Sequence, residues 1–458
     1  MPLNLPIEPF AVEITGLSSH AEGIARYENK VIFVTGALPG ERCTIKVIER
    51  HRNMARAELV ELIHPSPHRI QPPCPHFAIS DFGFRNAELK SINNQSSSEI
   101  NNPQSTIRNP QSGCGGCQLQ HLAYTSQLEY KRQTVTDALQ HIAKSVFSPK
   151  SEVRSQKLTT QDLGLGTALL PNEVISGSEF GYRNKVTFPL TVDNGRIAAG
   201  LHYRNSYKRI VPISTCLILD EDLQQILLPV VEILNQVFTP EDIAPSYATK
   251  SPDAQQGWLR YLILRSFSGI PAVGLVICQK KEPQLTRFAK QLNQIPSIRT
   301  AFIHISADPN DYLWTEDKTE LLFGDTRFPI NLGFAGVSSF LQVNKTVSEK
   351  LYEYVLQLPV KGNRVAIDTY CGIGLLSLEL ATRYAQVIGI DSDDKYLAQA
   401  RYASGVLGVD IHHIRAPEEP TGRIGRSHGQ LGDVPGESGV LDIVGHGPSA
   451  LHRHAQVA

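Results

Sequence analysis

The chain has 458 residues, room for about three domains at roughly 100–200 residues each. Lys and Arg number 44 against 45 Asp and Glu, and hydrophobic residues make up 41%, the balance of an ordinary soluble globular protein. No apolar run approaches the ~18 residues of a membrane-spanning helix, and the start lacks the basic and apolar regions of a secretory signal. Seven cysteines, an odd number in a long chain, argue against a secreted disulfide scaffold. The expectation is a cytoplasmic monomer without a membrane partner, on which any basic surface is local.

Residues 8–62 read as short strands, among them Val12-Glu-Ile-Thr, Val31-Ile-Phe-Val, Cys43-Thr-Ile-Lys-Val-Ile and Ala57-Glu-Leu-Val-Glu-Leu-Ile. Turn signals such as Gly36-Ala-Leu-Pro-Gly40 separate them, which predicts a small β-barrel over residues 1–66. Residues 91–112 are polar and repeat Ile-x-Asn-Pro-Gln-Ser from Ile100 and from Ile107, a composition that cannot bury a core. They are expected to be the disordered insertion, about 79–112, of a segment 67–145 that ends in a helix over 124–145. Residues 170–335 read as a mixed α+β region with a helix near 221–237. Between Gly181 and Ile210, Arg183, Lys185, Arg196, Arg204, Lys208 and Arg209 stand against a single acid, Asp193, with Tyr182, Phe188, Tyr203 and Tyr207 interleaved. Such a surface suits phosphates and stacked bases, although a solvated strand face has the same composition.

Residues 336–419 open with a helix expected at 338–359. An apolar strand from Val365 follows, then a Gly-rich turn, a helix, and the strand Gln386-Val-Ile-Gly-Ile ending at Asp391, the start of a βαβ pattern. Thr421–Ala458 has eight Gly, four His, no Lys and no aromatic residue. Residues 420–458 are therefore expected to be an atypical tail without strand–helix alternation, either non-native or disordered.

Two groups of residues could carry chemistry. Cys114-Gly-Gly-Cys117 places two thiols on one turn, with Cys74 upstream and Cys216 downstream. Four thiolates suit Zn²⁺ or a [4Fe–4S] cluster, and spacing does not choose between them. In Asp368-Thr-Tyr-Cys-Gly-Ile-Gly374, Gly372 and Gly374 allow close backbone approach, and Asp391, 17 residues after Gly374, can accept hydrogen bonds from both ribose hydroxyls of an adenosine. The missing third Gly favours S-adenosylmethionine over a dinucleotide. Cys371 reads as packing beneath the turn rather than as a nucleophile. Gln342, in Ser339-Phe-Leu-Gln-Val-Asn344, offers an amide donor and acceptor to a ligand.

Taken in order, Glu22-Gly-Ile-Ala, Phe33-Val-Thr-Gly-Ala-Leu-Pro-Gly-Glu41, Cys74-Pro-His-Phe, Cys114-Gly-Gly-Cys-Gln-Leu-Gln-His121, Tyr182-Arg-Asn-Lys-Val, Phe340-Leu-Gln-Val-Asn and Asp368-Thr-Tyr-Cys-Gly-Ile-Gly resemble the RNA uracil-5 methyltransferases. The pattern is most similar to the 23S ribosomal RNA type, which carries an N-terminal TRAM domain and a [4Fe–4S] cluster. The resemblance spans about residues 8–419. It implies a multi-domain α/β protein: a TRAM barrel resembling an OB-fold, a mixed α+β centre, and a Rossmann-like methyltransferase domain that looks incomplete. It implies Cys74, Cys114, Cys117 and Cys216 as cluster ligands, and Gln342, Tyr370, Gly372, Gly374 and Asp391 as the S-adenosylmethionine site. Ribosomal RNA is the implied partner.

The chain departs from the family pattern in two places. Residues 75–113 separate cysteines that lie close together in the family, a loop-closure cost that grows by only about 0.6 kcal/mol per doubling of length. The family's thiolate nucleophile, in a Ser-Cys-Asn/Asp-Pro-like segment, its carboxylate base and a preceding Asp-Pro-Pro-Arg have no counterpart, and Cys371 is the last cysteine. No catalytic residue is assigned. The expectation is a methyltransferase sequence, truncated or frameshifted near its end and inactive as it stands. The alternatives are a non-catalytic RNA-binding iron–sulfur protein and a zinc protein with a dehydrogenase-like domain.

Overall fold

The structure, a computed structural model, describes residues 5–28, 30–77, 113–146, 173–204, 206–244, 257–306, 318–358, 365–416 and 442–445. The expected insertion, about 79–112, lies wholly outside these residues, as does the tail apart from 442–445. The chain divides into two compact units. The first holds residues 1–176 and the hairpin segment Leu201–Val211, and the second holds nearly all the rest.

The first unit opens with five strands: β1 (Phe10–Leu17), β2 (Gly23–Tyr27), β3 (Lys30–Thr35), β4 (Arg42–Arg50) and β5 (Met54–His64). They close into a barrel in the order β1-β2-β3-β5-β4, in which only β3 and β5 run parallel. Alternation makes the core: Ile32 and Val34 of β3 point inward with Ile14, Ala25, Cys43, Ile45, Ala55 and Ala57. Gly36 and Gly40 both have φ of 82°, so the Gly36–Gly40 turn uses a conformation that other residues enter at a cost.

A buried ion pair locks this turn to the following segment. Glu41 accepts from Arg69 Nε at 2.5 Å and Nη2 at 2.8 Å, from the Leu38 amide at 2.8 Å and from the Ser66 amide at 3.2 Å. Arg69 Nη2 also donates to the Gly36 carbonyl at 2.7 Å. Every strong donor around the buried carboxylate is therefore paired, the condition under which a buried charge is tolerated. Helix α1 (Tyr124–Val146) completes the unit, and its Tyr130 hydroxyl donates to the Ser18 carbonyl.

The central region forms a seven-stranded sheet in the order β12-β11-β10-β9-β6-β7-β8. Its strands are β6 (Lys185–Asp193), β7 (Arg196–Tyr203), β8 (Ser206–Pro212), β9 (Leu259–Phe267), β10 (Ile270–Ile277), β11 (Thr300–Ile305) and β12 (Thr319–Phe323). Helix α2 (Glu221–Val237) is N-capped by Asp220, which accepts from the Leu223 amide at 3.0 Å. Helix α3 (Glu282–Leu292) crosses over between the parallel strands β10 and β11. All nine residues of β9 are buried, as a strand covered on both faces requires.

A two-stranded ribbon, β13 (Arg327–Ile330) and β14 (Gly333–Gly336), leads to helix α4 (Lys345–Gln357). This helix starts seven residues later than the expected 338, because the Asn344 side chain accepts from the Val347 amide at 3.1 Å and caps it there. Then come β15 (Val365–Thr369), α5 (Leu375–Leu380), β16 (Gln386–Asp391), α6 (Asp394–Leu407), β17 (Ile411–Arg415) and β18 (Asp442–Gly445).

These four strands are all parallel, in the order β17-β16-β15-β18. The expectation of an atypical tail, non-native or disordered and without regular elements, is corrected at one strand. Asp442–Gly445, inside 420–458, pairs with Ala366–Thr369, and β17 pairs with β16 on the other side. A four-residue strand carries too little periodicity to stand out among eight glycines. The order reverses between β15 and β18, and ligands of such sheets bind at the strand ends there.

Candidate functional site

The Asp368–Gly374 loop lies where that order reverses. Tyr370, the residue after β15, has a left-handed φ of 64°, and Gly372 and Gly374 follow with φ of 55° and 81°. A Cβ at Gly372 would meet nothing within 4 Å, so that side of the loop is open. A Cβ at Gly374 would stand 3.0 Å from that of Ala400, so α6 can approach the loop only over glycine. Asp391 closes the arrangement: Oδ2 accepts from the Gly372 amide at 2.8 Å and Oδ1 from the Asp393 amide at 3.0 Å. Each oxygen keeps acceptor capacity for a further donor. Tyr370, Gly372, Gly374 and Asp391 are thus brought together at the ends of β15 and β16, with the Tyr370 ring exposed.

Gln342 stands beside this loop, in a different recess. Its carbonyl accepts from Asn184 Nδ2 at 3.0 Å, and its exposed side chain lines a shallow cleft with Asn184, Ser266, Lys345, Leu375 and Glu379. Leu375 opens α5, so the cleft reaches the helix that follows the loop. Buried Arg265 shapes this segment by donating to the carbonyls of Val337, at 2.8 Å, and Ser339. Ser339 Oγ accepts from the Gly336 amide at 2.8 Å and donates to Gln399 of α6 at 2.5 Å. Leu341 and Leu375 both pack against the buried apolar cluster that contains Ile373. Arg265, Ser339 and Gln399 escaped sequence reasoning because nothing local marks them.

Asp368 lies beneath the loop and is fully buried. Ser377 Oγ donates to its Oδ2 at 2.7 Å, while Oδ1 has no partner among the described residues. Burial first, then the Asp391 charge, push its carboxyl up to about 6, against the Ser377 hydrogen bonds. The ordinary value of 3.8 lies below this, so between about pH 4 and 6 the unfolded chain ionises while folded Asp368 keeps its proton. Stability is expected to fall by on the order of 3 kcal/mol as pH rises through that window, and Asp368→Asn to remove the fall. Urea unfolding between pH 4 and 7 checks this; equal slopes in both proteins would refute it. Cys371 is also buried, and burial, with Asp368 and Asp391, pushes its thiol up to about 12. A thiol held protonated is not a nucleophile at neutral pH.

In the first unit the Cys114–Cys117 turn is pressed against Leu201–Arg204. The Gly115 amide donates to the His202 carbonyl at 2.8 Å and the Arg204 amide to the Gly113 carbonyl at 2.8 Å. The glycines are required: a Cβ at Gly113 would lie 2.0 Å from the Tyr203 ring, and one at Gly115 3.0 Å from the His202 carbonyl. Cys74, Cys114 and Cys117 are close enough for the Cys114 thiol to feel both others, though burial is the main force pushing it up to about 11. The Gly116 amide donates to Cys114 Sγ at 3.4 Å. Cys216 is buried in the second unit, where its amide donates to Gln224 at 3.2 Å. Among the described residues no group of three His, Cys, Asp or Glu is placed to hold a metal ion.

The basic segment does not form one phosphate-facing strand surface. Arg196 pairs with Glu232 at 2.7 Å, and Arg183 Nε donates to the Lys185 carbonyl at 3.0 Å. Burial, before the neighbouring Arg265 and Arg183, brings Lys185 down to about 7. Arg209 is exposed, with its guanidinium 4.4 Å from the Tyr203 ring centroid. The side chains of Tyr207 and Lys208 lie outside the described residues.

Comparison with known proteins places these observations. The TRAM domain family model matches residues 8–60. A protein of Clostridium tetani named an uncharacterized RNA methyltransferase is 26% identical over 90% of this chain and 77% of its own length. The 23S rRNA (uracil(1939)-C(5))-methyltransferase of Shewanella amazonensis is 25% identical over 88% of this chain and 75% of its own. Among solved structures, the Pyrococcus abyssi tRNA (uracil-54, C5)-methyltransferase in complex with S-adenosyl-L-homocysteine covers 89% of this chain and 79% of its own, with a TM-score of 0.57 and 19% identity, a likeness of fold. The chain thus carries a TRAM domain and is similar along most of its length to RNA methyltransferases, a 23S rRNA uracil-C5 enzyme among them.

Proposed function

We propose that this chain binds S-adenosylmethionine at the ends of β15 and β16 and serves methylation of uracil C5 in ribosomal RNA of the 23S type. The observation that carries the reading is the Asp391 carboxylate, fixed by the Gly372 amide at the reversal of strand order. Asp391 would accept the ribose hydroxyls, the Gly372 face would admit the ligand, and Gln342 and Tyr370 would border it. The bound donor supplies an electrophilic methyl group. The TRAM barrel and the exposed Arg209 beside the half-buried Tyr203 ring suit RNA. Such a protein works in the cytoplasm as a monomer; light scattering checks the second point.

Uracil C5 is a weak nucleophile until a thiolate adds to C6 and makes an enolate. No cysteine follows Cys371, and Cys371 is buried and protonated. Residues 1–458 by themselves are therefore expected to hold donor and RNA without transferring the methyl group. Incubation with methyl-labelled donor and a 23S RNA fragment tests this. Bound label with no 5-methyluridine in digested RNA is the expected result; 5-methyluridine would show a thiolate that this reading lacks. RNA binding without donor binding would favour a non-catalytic RNA-binding iron–sulfur protein.

The reading extends to a [4Fe–4S] cluster on Cys74, Cys114, Cys117 and Cys216. Its support is the thiol donor set and the glycine turn. Anaerobically purified chain should contain iron and labile sulfide in equal amounts. Zinc without sulfide would refute the cluster.

A further inference from the structure

A cleft runs along the outer wall of the barrel, and the donor reading gives it no task. It is lined by the turn between β1 and β2, by β2, β3 and β5, and by Thr134 and Asp137 of α1. Phe33 lies between Ile32 and Val34, whose side chains fill the barrel core, so its own ring points outward. In register Phe33 pairs with Ile24 on one side and with Arg56 on the other, so the three form one row across β2, β3 and β5. Glu22, just before β2, borders the same cleft. Its side chain is only 13% exposed, and Arg56 Nε stands 3.9 Å from Oε1, beyond hydrogen-bond reach. Arg56 Nε has no hydrogen-bond partner among the described residues, so acid and base are apposed without being bonded. The cleft's other acid, Asp137, already accepts from Gln133 at 2.6 Å.

The turn between β1 and β2 is fixed from within. Ser18 Oγ accepts from the His20 and Glu22 amides at 3.2 Å each, and Tyr130 donates to the Ser18 carbonyl. A preformed wall spares a ligand the cost of ordering it. Small barrels of the OB type take single-stranded nucleic acid on the face of strands 2 and 3 and on the loop between strands 1 and 2. An aromatic ring accepts any base, but a carboxylate and a guanidinium side by side narrow the choice. Guanine is the RNA base that sets two donors, N1–H and the 2-amino group, beside the O6 acceptor on one edge. We propose that this cleft is a subsite for an unpaired guanine of the RNA. The base stacks on Phe33, Glu22 accepts from N1–H and the 2-amino group, and Arg56 donates to O6. This rests on the RNA reading above and adds which base the barrel selects.

The test uses the whole chain and fluorescence anisotropy with short labelled oligouridylates that carry a single central guanosine, inosine or adenosine. The guanosine oligomer should bind about tenfold more tightly than the adenosine one, and inosine, which lacks the 2-amino group, should fall between them. Glu22→Gln and Arg56→Met should each bring the guanosine oligomer down towards the affinity of the adenosine one, whereas Phe33→Leu should weaken all three alike. Amide exchange of β2 and β3 accompanies each variant. If Glu22→Gln unfolds the barrel, Arg56→Met, at a side chain 43% exposed, still tests the edge contact. Equal wild-type affinity for the guanosine and adenosine oligomers would overturn the guanine subsite and leave RNA binding standing. A guanosine preference that survives both Glu22→Gln and Arg56→Met would overturn it too. Guanosine monophosphate binding as tightly as the guanosine oligomer would make the cleft a free-nucleotide site, against the proposal. No binding of any oligomer would overturn the RNA reading beneath it.

Discussion

Asp391→Ala is expected to weaken S-adenosylmethionine binding about a hundredfold or more. Hydrogen bonds to a charged acceptor contribute about 1.5–3 kcal/mol each, and a ribose diol would make two. The substitution also frees the Gly372 amide, now held by Oδ2 at 2.8 Å, and with it the loop that Gly372 and Gly374 bend. Asp391→Asn, which keeps one acceptor, should lose less. Equilibrium dialysis with labelled donor measures the effect; equal affinity in wild type and Asp391→Ala would remove Asp391 from the site.

The largest stability effect should come from the other unit. Glu41→Gln leaves the Arg69 guanidinium, only 4% exposed, without its carboxylate. Breaking one side of such a buried pair costs about 3–5 kcal/mol, whereas replacing both partners with apolar residues is often near neutral. Amide exchange of barrel strands such as β3 and β5 should therefore speed up by two orders of magnitude or more in Glu41→Gln, and much of the protection should return in the double variant Glu41→Met, Arg69→Met. Unchanged protection in the single variant would mean that the pair does not hold the Gly36–Gly40 turn.

The strands and the site differ in how far the sequence discloses them. The barrel is legible because its strands alternate, as in Ile32 and Val34 of β3, and because its turns are marked by glycine. The cofactor loop is legible because its chemistry is local: an apolar strand, two glycines, then an acid at the end of the next strand. Less legible are features decided by distant partners. The late start of α4 follows from one Asn344 cap. Strand β18 is four residues long and is stabilised by pairing with β15, not by its own pattern. The run of basic residues from Arg183 to Arg209 looks like one surface when read as composition. In the fold Arg196 meets Glu232, Arg183 meets a carbonyl, and Arg204 turns to the cysteines.

The central claim is that residues 1–458 present a working donor site at the reversal of strand order. Calorimetric titration of the whole chain with S-adenosylmethionine tests it most directly. A saturable isotherm with one site per chain, competed by S-adenosylhomocysteine, is the expected result. A flat titration at donor concentrations in the millimolar range, from protein whose methyltransferase sheet is folded by amide exchange, would contradict it.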